Sequence, residues 1–305
     1  MRAGLKILVS AVQSRPSPPF ISYSCPSANF LRPEFVPKLC PARAHSSARD
    51  GVLPFFSCVL GELKSKVAGV LGRWRPQEGG GCWMKFPQGR RFSLDRYEVT
   101  NADFARFAAA TKYRTEAERE NRGLVARGDA PVTVEGANWR APAGPGSMAK
   151  PDHPVVQIAW ADAQAYCAWA GKRLPTEAEW EKAARGPYPR RYPWGDAWDA
   201  TKANGAMAVK TTSPVGSYRA GVSPYGIYDL AGNAFEWTAD WYDEDQYKRG
   251  TTRNPTGPWT GTLKVLRGGS WWTGVLSLRT SHRHMATPHL WADTFGFRCA
   301  RDLSK

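Results

Sequence analysis

The sequence predicts an α+β domain in which short helices and short strands are set in much irregular backbone. Three observations point there. The 305 residues include 29 Gly, 24 Pro and 14 Trp; Gly and Pro end regular elements, while indoles fill the space between them. Helix-start signatures at Thr100 to Asp103 and Thr176 to Glu179 alternate with apolar runs only long enough for single strands. No run approaches the roughly 18 apolar residues that a membrane span needs.

The net charge of +15 is unevenly placed. Residues 1–91 hold fourteen Lys/Arg against four Asp/Glu, so most of the excess lies in the first third of the chain. The rest has no basic stripe interleaved with aromatics, which argues against nucleic-acid binding by the main domain. Residues 1–85 read as an irregular basic leader and 86–305 as the folded domain. The leader is rich in Ser, Pro and Arg and poor in acids, as in Arg15-Pro16-Ser17-Pro18-Pro19. That composition fits an organelle transit segment, a disordered leader or a mis-assigned start. Lys6 to Val12 is a short candidate for a signal-peptide core, and Leu60, Leu63, Val67, Val70 and Leu71 mark one possible amphipathic helix.

In the domain, Phe92, Leu94 and Tyr97 to Val99 read as a half-buried strand. Thr100 is a helix N-cap able to accept from the Asp103 amide, with Asp103 suited to the positive helix start. Phe104, Phe107 and Ala108 form its inward stripe, and Lys112 to Glu116 closes it. Residues 121–152 are rich in Gly, Pro and Ala and read as an ordered loop anchored by Trp139. His153 to Ile158 reads as a short buried strand. A helix follows from about Ala161 to Ala170, with Ala163, Tyr166, Cys167 and Ala170 on one side and Gly171 as its left-handed stop. Thr176 and Glu179 have capping-box spacing, and Trp180, Ala183 and Ala184 pack inward before Gly186. The acids of this helix are explained as caps and a solvated face.

From Pro187 to Tyr218 the chain is turn-rich, with Tyr192 to Asp196 as its firm point. Gly232-Asn233 then marks a turn whose residues tolerate positive φ, flanked by the carboxylates of Asp229 and Glu236. Such a turn is either a plain turn with two solvated acids or a set of oxygen ligands of the kind calcium takes. Near the C-terminus the paired glycines of Arg267-Gly268-Gly269-Ser270-Trp271-Trp272, with Gly296-Phe297-Arg298-Cys299-Ala300, suggest backbone in close approach at a cavity floor.

Five blocks occur in order: Asp95 to Asn101, Ala165 to Glu181, Tyr192 to Asp196, Gly232 to Trp237 and Arg267 to Ser270. With them, the chain from about 90 to 301 resembles the sulfatase-modifying factor family, the formylglycine-generating enzyme domain. The resemblance implies a variant of the C-type lectin fold. It implies a structural calcium held by the Asp229 and Glu236 side chains and the Gly232 and Ala234 carbonyls. A second family calcium loop would begin at Asn204-Gly205, but the stretch to Pro214 is short and contains no acid. It also implies a disulfide between Cys167 and Cys299, and with it folding in a secretory or other oxidising compartment; organelle targeting is the alternative. The other four cysteines match no metal motif. The chain lacks the strand and Met-Gly turn that usually open this domain before the Tyr97 block, so part of the N-terminal fold is expected to be missing or replaced.

The family's oxidase uses two cysteines, three and eight residues after the serine of Arg-Gly-Gly-Ser, as soft ligands for copper(I). Those positions are Thr273 and Leu278, so copper–thiolate oxidation is not expected, and no catalytic residue is assigned. The leading expectation is a non-catalytic paralogue binding a polypeptide or a catalytic relative through Ser270, Trp271, Trp272 and Arg298. The alternative is an oxidase of the same family with a metal on His282, His284 and His289; His-Xaa-His on a strand would put two rings on one face. Arg279, Arg283 and Arg298 beside them suggest instead a polar rim for acidic groups.

Overall fold

A computed structural model describes residues 81–85, 91–249 and 254–303. The leader readings at 6–12, 10–50 and 52–71 lie outside the described residues. The domain opens with β1 (Gly81–Lys85), which pairs antiparallel with β2 (Arg91–Asp95), and β2 pairs on its other side with β9 (Ala300–Asp302). The expectation that no strand opens the domain is therefore corrected: β1 lies ahead of the Tyr97 block and before the expected boundary at 86, held by its ladder to β2. β2 alternates as expected, with Phe92 and Leu94 fully buried. The strand ends at Asp95 and does not run on to Val99. The Val99 amide donates to the Phe297 carbonyl at 3.0 Å while its own carbonyl accepts from Val155 at 2.8 Å, so the segment joins two different stretches instead of extending one ladder.

Helix α1 (Asn101–Thr111) starts at the Thr100 cap, closed by a reciprocal bond with Asp103, and ends at Lys112 in the left-handed region. A second capping box, Thr115 with Glu118, starts the short α2 (Glu116–Glu120). The stretch read as a loop at 121–152 contains a hairpin, β3 (Arg122–Arg127) with β4 (Ala130–Glu135). Trp139 anchors the irregular chain after the hairpin: its ring is buried against Phe104 with centroids 5.2 Å apart. His153 to Ile158 is buried but forms no strand. Its only bridge is Thr100 to Pro154, and Gln157 turns at φ 61° so that its amide reaches the Ala292 carbonyl.

Helices α3 (Trp160–Trp169) and α4 (Glu177–Arg185) lie within a residue or two of expectation, and the Thr176–Glu179 capping box is formed. The four-stranded sheet runs β7 (His284–Ala286), β6 (Lys264–Arg267), β5 (Phe235–Trp241), β8 (Phe295–Gly296), with β5 and β8 parallel. A last short helix, α5, covers Gln246–Arg249. One core cluster packs Phe104, Phe107, Tyr166 and Phe297 around the Cys167–Cys299 disulfide, which ties α3 to the segment entering β9. A second packs Phe92, Leu94, Trp180, Ile227 and Leu230.

The acids of α4 are not a solvated face. Glu177 is buried and holds Arg283 through both carboxylate oxygens, at 2.6 and 2.8 Å, with the buried Arg267 close by. Glu179 caps the helix and pairs with Arg173.

Candidate functional site

Arg267, Gly268 and Gly269 carry the end of β6 into the site. Arg267 is buried and donates to Glu181 and to the Thr280 and His282 carbonyls, which fixes the start and the return of the loop between them. Gly268 and Gly269 have φ of 91° and 73°, a region that side chains resist. There is no room for side chains either. A Cβ on Gly268 would stand 3.1 Å from the Trp180 ring, and one on Gly269 would meet Leu278 at 2.5 Å and Thr273 Oγ1 at 3.0 Å. The close approach is to backbone as well as to side chains: a Cβ on Gly269 would also stand 2.9 Å from the Ser277 carbonyl, and one on Gly296 2.7 Å from the Val155 carbonyl.

The Gly269 contacts decide how the reactive positions stand. Thr273 and Leu278 both approach the same point beside Gly269, so the fold brings these two side chains together. Thr273 Oγ1 is engaged locally, accepting from the Ser270 amide at 3.0 Å and donating to the Ser270 carbonyl at 3.1 Å. Leu278 is fully buried and packs with Tyr192, Ala203 and Ala231. A hydroxyl closing a turn and an isobutyl group in a core offer no soft ligand and no exchangeable disulfide.

Outside this pair lies a shallow groove of about 300 Å³ lined by Trp272, Thr273, Ser277, Met207 and the β3–β4 tip at Gly128 and Asp129. Trp272 donates from Nε1 to the Gly128 carbonyl at 3.0 Å, which fixes the indole across the groove. Met207 and, at 60 % exposure, Leu276 leave apolar surface facing water.

Of the expected lining, only Trp272 lines this groove. Ser270 is buried beneath the turn. Trp271 is buried, with Nε1 toward the Asp293 carbonyl, and faces a separate cavity of about 90 Å³ with Asn101 and His153. Arg298 is the largest correction: it is 0 % exposed and holds Glu236 through two bonds, from Nε at 2.6 Å and Nη2 at 2.7 Å. A guanidinium this far from water needs an internal carboxylate, so it is not available to a ligand. Arg283 is likewise spent on Glu177 and is not a free rim cation.

The histidines do not assemble. His284 stacks on Phe235 with centroids 4.7 Å apart, and burial lowers its pKa, with His282 nearby adding to the effect. His289 lies elsewhere, 77 % exposed, with Nδ1 3.3 Å from Glu116. Among the described residues no group of three or more His, Cys, Asp or Glu side chains is placed to hold a metal ion. The three-histidine expectation is therefore corrected.

The turn at 229–236 takes its shape from Asp229, Gly232 and Asn233, all at positive φ. A Cβ on Gly232 would collide with the Asn204 carbonyl. Asp229 Oδ2 accepts from the Gly216 amide at 2.6 Å. Glu236 is fully buried; besides Arg298 it accepts from Trp180 Nε1 at 2.9 Å. Sequence reasoning passed over a third acid, Glu98. It is buried and accepts from Asn233 Nδ2 at 2.7 Å and from the Ala234 amide at 3.0 Å. Its signal was an acid between Tyr97 and Val99 in a run read as half-buried. Burial first, then repulsion from Asp229 and Glu236, holds Glu98 well above the ordinary carboxylate range. Burial likewise pushes Asp229 up to about 6. Burial opposes the charge on Arg298, but Glu236, Glu98 and Asp229 outweigh it and raise the pKa.

A calcium ion fits this chemistry on two counts. Three buried carboxylates facing one guanidinium carry a formal charge of minus two when all are ionised, which one divalent cation balances. The Gly232 and Ala234 carbonyls accept no hydrogen bond among the described residues, so both keep their lone pairs. The fit rests on those carbonyls and on charge, not on a preformed carboxylate cage. The shortened loop at Asn204 offers less: Asn204 Nδ2 bonds the Thr211 carbonyl across a stretch without acids.

These features define a class: an α+β scaffold with little regular secondary structure, a glycine-framed loop after β6 and an acid-lined turn at 229–236. The chain matches the sulfatase-modifying factor enzyme 1-like domain over residues 84–303 and belongs to that family. It is 41 % identical over 250 residues to the formylglycine-generating enzyme of Thermomonospora curvata, covering 69 % of this chain and 82 % of that one. It is 39 % identical over 249 residues to the inactive C-alpha-formylglycine-generating enzyme 2 of Bos taurus, covering 68 % and 76 %. Among solved structures it is similar to PvdO from Pseudomonas aeruginosa, with a TM-score of 0.54, 27 % identity and coverage of 70 % and 81 %.

Proposed function

We propose that this protein is a member of the sulfatase-modifying factor family without copper–thiolate oxidase activity, binding polypeptide at the groove under Trp272. One observation supports the reading: Thr273 and Leu278, the positions that the resemblance assigns to the oxidase's two thiolates, lie together beside Gly269 and carry no sulfur. The similarity of the chain both to named formylglycine-generating enzymes and to an inactive relative is compatible with loss of the reaction on a retained scaffold. The partner is an extended peptide or a catalytic relative. Trp272 supplies a flat apolar contact of the kind that dominates such interfaces, and Met207 extends it.

Calcium, in this reading, has a structural role. It would be held by the Asp229 and Glu236 carboxylates and the Gly232 and Ala234 carbonyls, and it supplies positive charge to a buried acidic cluster. The disulfide supports folding in an oxidising compartment, and no helix among the described residues is long and apolar enough to cross a membrane.

The test is transition-metal content and copper(I) titration of the full chain. Less than a tenth of an equivalent of tightly bound copper or iron is expected. Stoichiometric metal that disappears on replacing His282 and His284 would defeat this reading in favour of the histidine-metal oxidase. Peptide binding is measured by Trp fluorescence, and Trp272→Ala is expected to abolish it; undiminished binding would remove the groove assignment.

A further inference from the structure

We propose that Arg279 is a binding contact for an acidic side chain of the polypeptide, with Arg191 adding positive charge beside it. The inference deepens the polypeptide reading above by naming the partner's chemistry. Of the three arginines read from the sequence as a rim, Arg283 and Arg298 are spent on Glu177 and Glu236. Arg185 and Arg267 take up Glu181. Arg279 is left over: among the described residues its guanidinium has no hydrogen-bond or ion-pair partner. Its Nε is shut off from water, whereas neither Nη group is. Packing thus holds the guanidinium against the protein while its forked end stays open.

The backbone beneath this cation is fixed. The Thr280 amide donates to the Arg191 carbonyl at 2.8 Å, and Thr280 Oγ1 donates to the Arg190 carbonyl at 2.6 Å. The His282 amide closes a turn onto the Arg279 carbonyl at 3.0 Å. A cation carried on a fixed turn loses less freedom on binding than one on a mobile chain. Arg191 is exposed, and Asp196 turns to its backbone amide, at 2.9 Å, instead of its guanidinium. Burial first, then the charges of Arg267 and Arg279, lower the His282 pKa, so Arg279 acts as a net positive charge on its neighbours. An arginine fork takes a carboxylate through two parallel bonds, which makes an Asp or Glu side chain its natural partner. Ser277 lines the groove under Trp272, and Arg279 lies two residues further on, at most about 7 Å of chain away.

The probe is a fluorescein-labelled hexaglutamate peptide with an amidated C-terminus, titrated into the full chain and read by anisotropy. Hexaglutamine, amidated or with a free C-terminus, is the control. Hexaglutamate is expected to bind and amidated hexaglutamine not to. Arg279→Gln is expected to weaken hexaglutamate binding about fivefold and Arg191→Gln about twofold. Arg15→Gln removes the same charge from the basic leader and is expected to leave binding unchanged. Because Arg279 has no partner among the described residues, its replacement should leave the melting temperature unchanged. A clear fall, or failure to fold, would reveal such a partner and overturn the proposal. No binding of hexaglutamate by wild type, or equal weakening in Arg15→Gln and Arg279→Gln, would also overturn it. Hexaglutamine with a free C-terminus binding as tightly as hexaglutamate would move the ligand to a chain terminus and overturn the side-chain assignment. Trp272→Ala separates this proposal from the groove reading. Binding weakened there but kept in Arg279→Gln leaves the groove and overturns the carboxylate contact. Binding kept there but weakened in Arg279→Gln leaves the contact and removes the groove.

Discussion

Replacing Arg298 by methionine removes the one cation inside a cluster of three buried acids. Arg298 gives two bonds to Glu236 and three more to the carbonyls of Asp95, Arg96 and Tyr228, at 3.2, 3.3 and 2.9 Å. Breaking a buried pair by removing one partner costs about 3–5 kcal/mol, because the other charge stays behind. Here Glu98 and Asp229 stay behind with Glu236, and three carbonyls lose a donor, so the loss belongs at the upper end. Against a typical stability of roughly 5–15 kcal/mol, that is a third or more of the total. The assay is urea unfolding at pH 7 with EDTA, reading the midpoint at constant m. Calcium should restore more stability to Arg298→Met than it adds to wild type, because the variant has the larger charge deficit. Pairing the change with Glu236→Leu should recover most of the loss. A loss below about 1 kcal/mol for Arg298→Met would show that the cluster is not electrostatically coupled, contrary to the packing described above.

Three further outcomes are expected. Cys167→Ala/Cys299→Ala removes a cross-link across a separation of 132 residues, worth about 5 kcal/mol as an upper bound in the chain-entropy model; calorimetry should show a drop of roughly 10 °C or more, and an unchanged melting temperature would refute it. Asp293 is pushed from 3.8 to about 6 by burial. The folded state thus holds its proton more tightly than the unfolded chain, a contribution present below about pH 4 and lost as pH rises through 6. Asp293→Asn keeps the acceptor toward the Ala126 amide, so its stability should fall less than wild type between pH 4 and 7, by up to about 3 kcal/mol; parallel pH curves would refute this. Thr273→Cys/Leu278→Cys should gain about one copper(I) per chain at a cost of about 2 kcal/mol from the lost Leu278 packing, and a folded variant that binds no copper would show that the two positions do not converge.

What was legible in the sequence was mostly local. The Thr100–Asp103 and Thr176–Glu179 caps need only neighbours three residues apart, and both are formed. The β3–β4 hairpin was missed because β4 is exposed along nearly its whole length, so no apolar alternation marks it. His153 to Ile158 misled in the opposite way: an apolar run suggested a strand, but burial comes from packing and Gln157 leaves extended geometry. That Thr273 and Leu278 stand three and eight residues after Ser270 is a fact of the sequence, and the structure adds only that the two lie together beside Gly269. The groove of this loop was misread, because whether Arg298 faces solvent depends on Glu236, a partner 62 residues away. Glu98 was passed over for the same reason. Composition cannot tell a buried acid from a solvated one when its partners lie more than a hundred residues further on.

The most direct test of the central claim is turnover. Full-length protein, loaded with copper(I) under air with a thiol reductant, is incubated with a Cys-Xaa-Pro-Xaa-Arg peptide, the substrate motif of the family's oxidase, and the peptide mass is followed. The expected result is intact cysteine at every time point, beside complete conversion by a formylglycine-generating enzyme control. Formylglycine formed above the protein-free background would contradict the claim that Thr273 and Leu278 have ended the family's reaction in this chain.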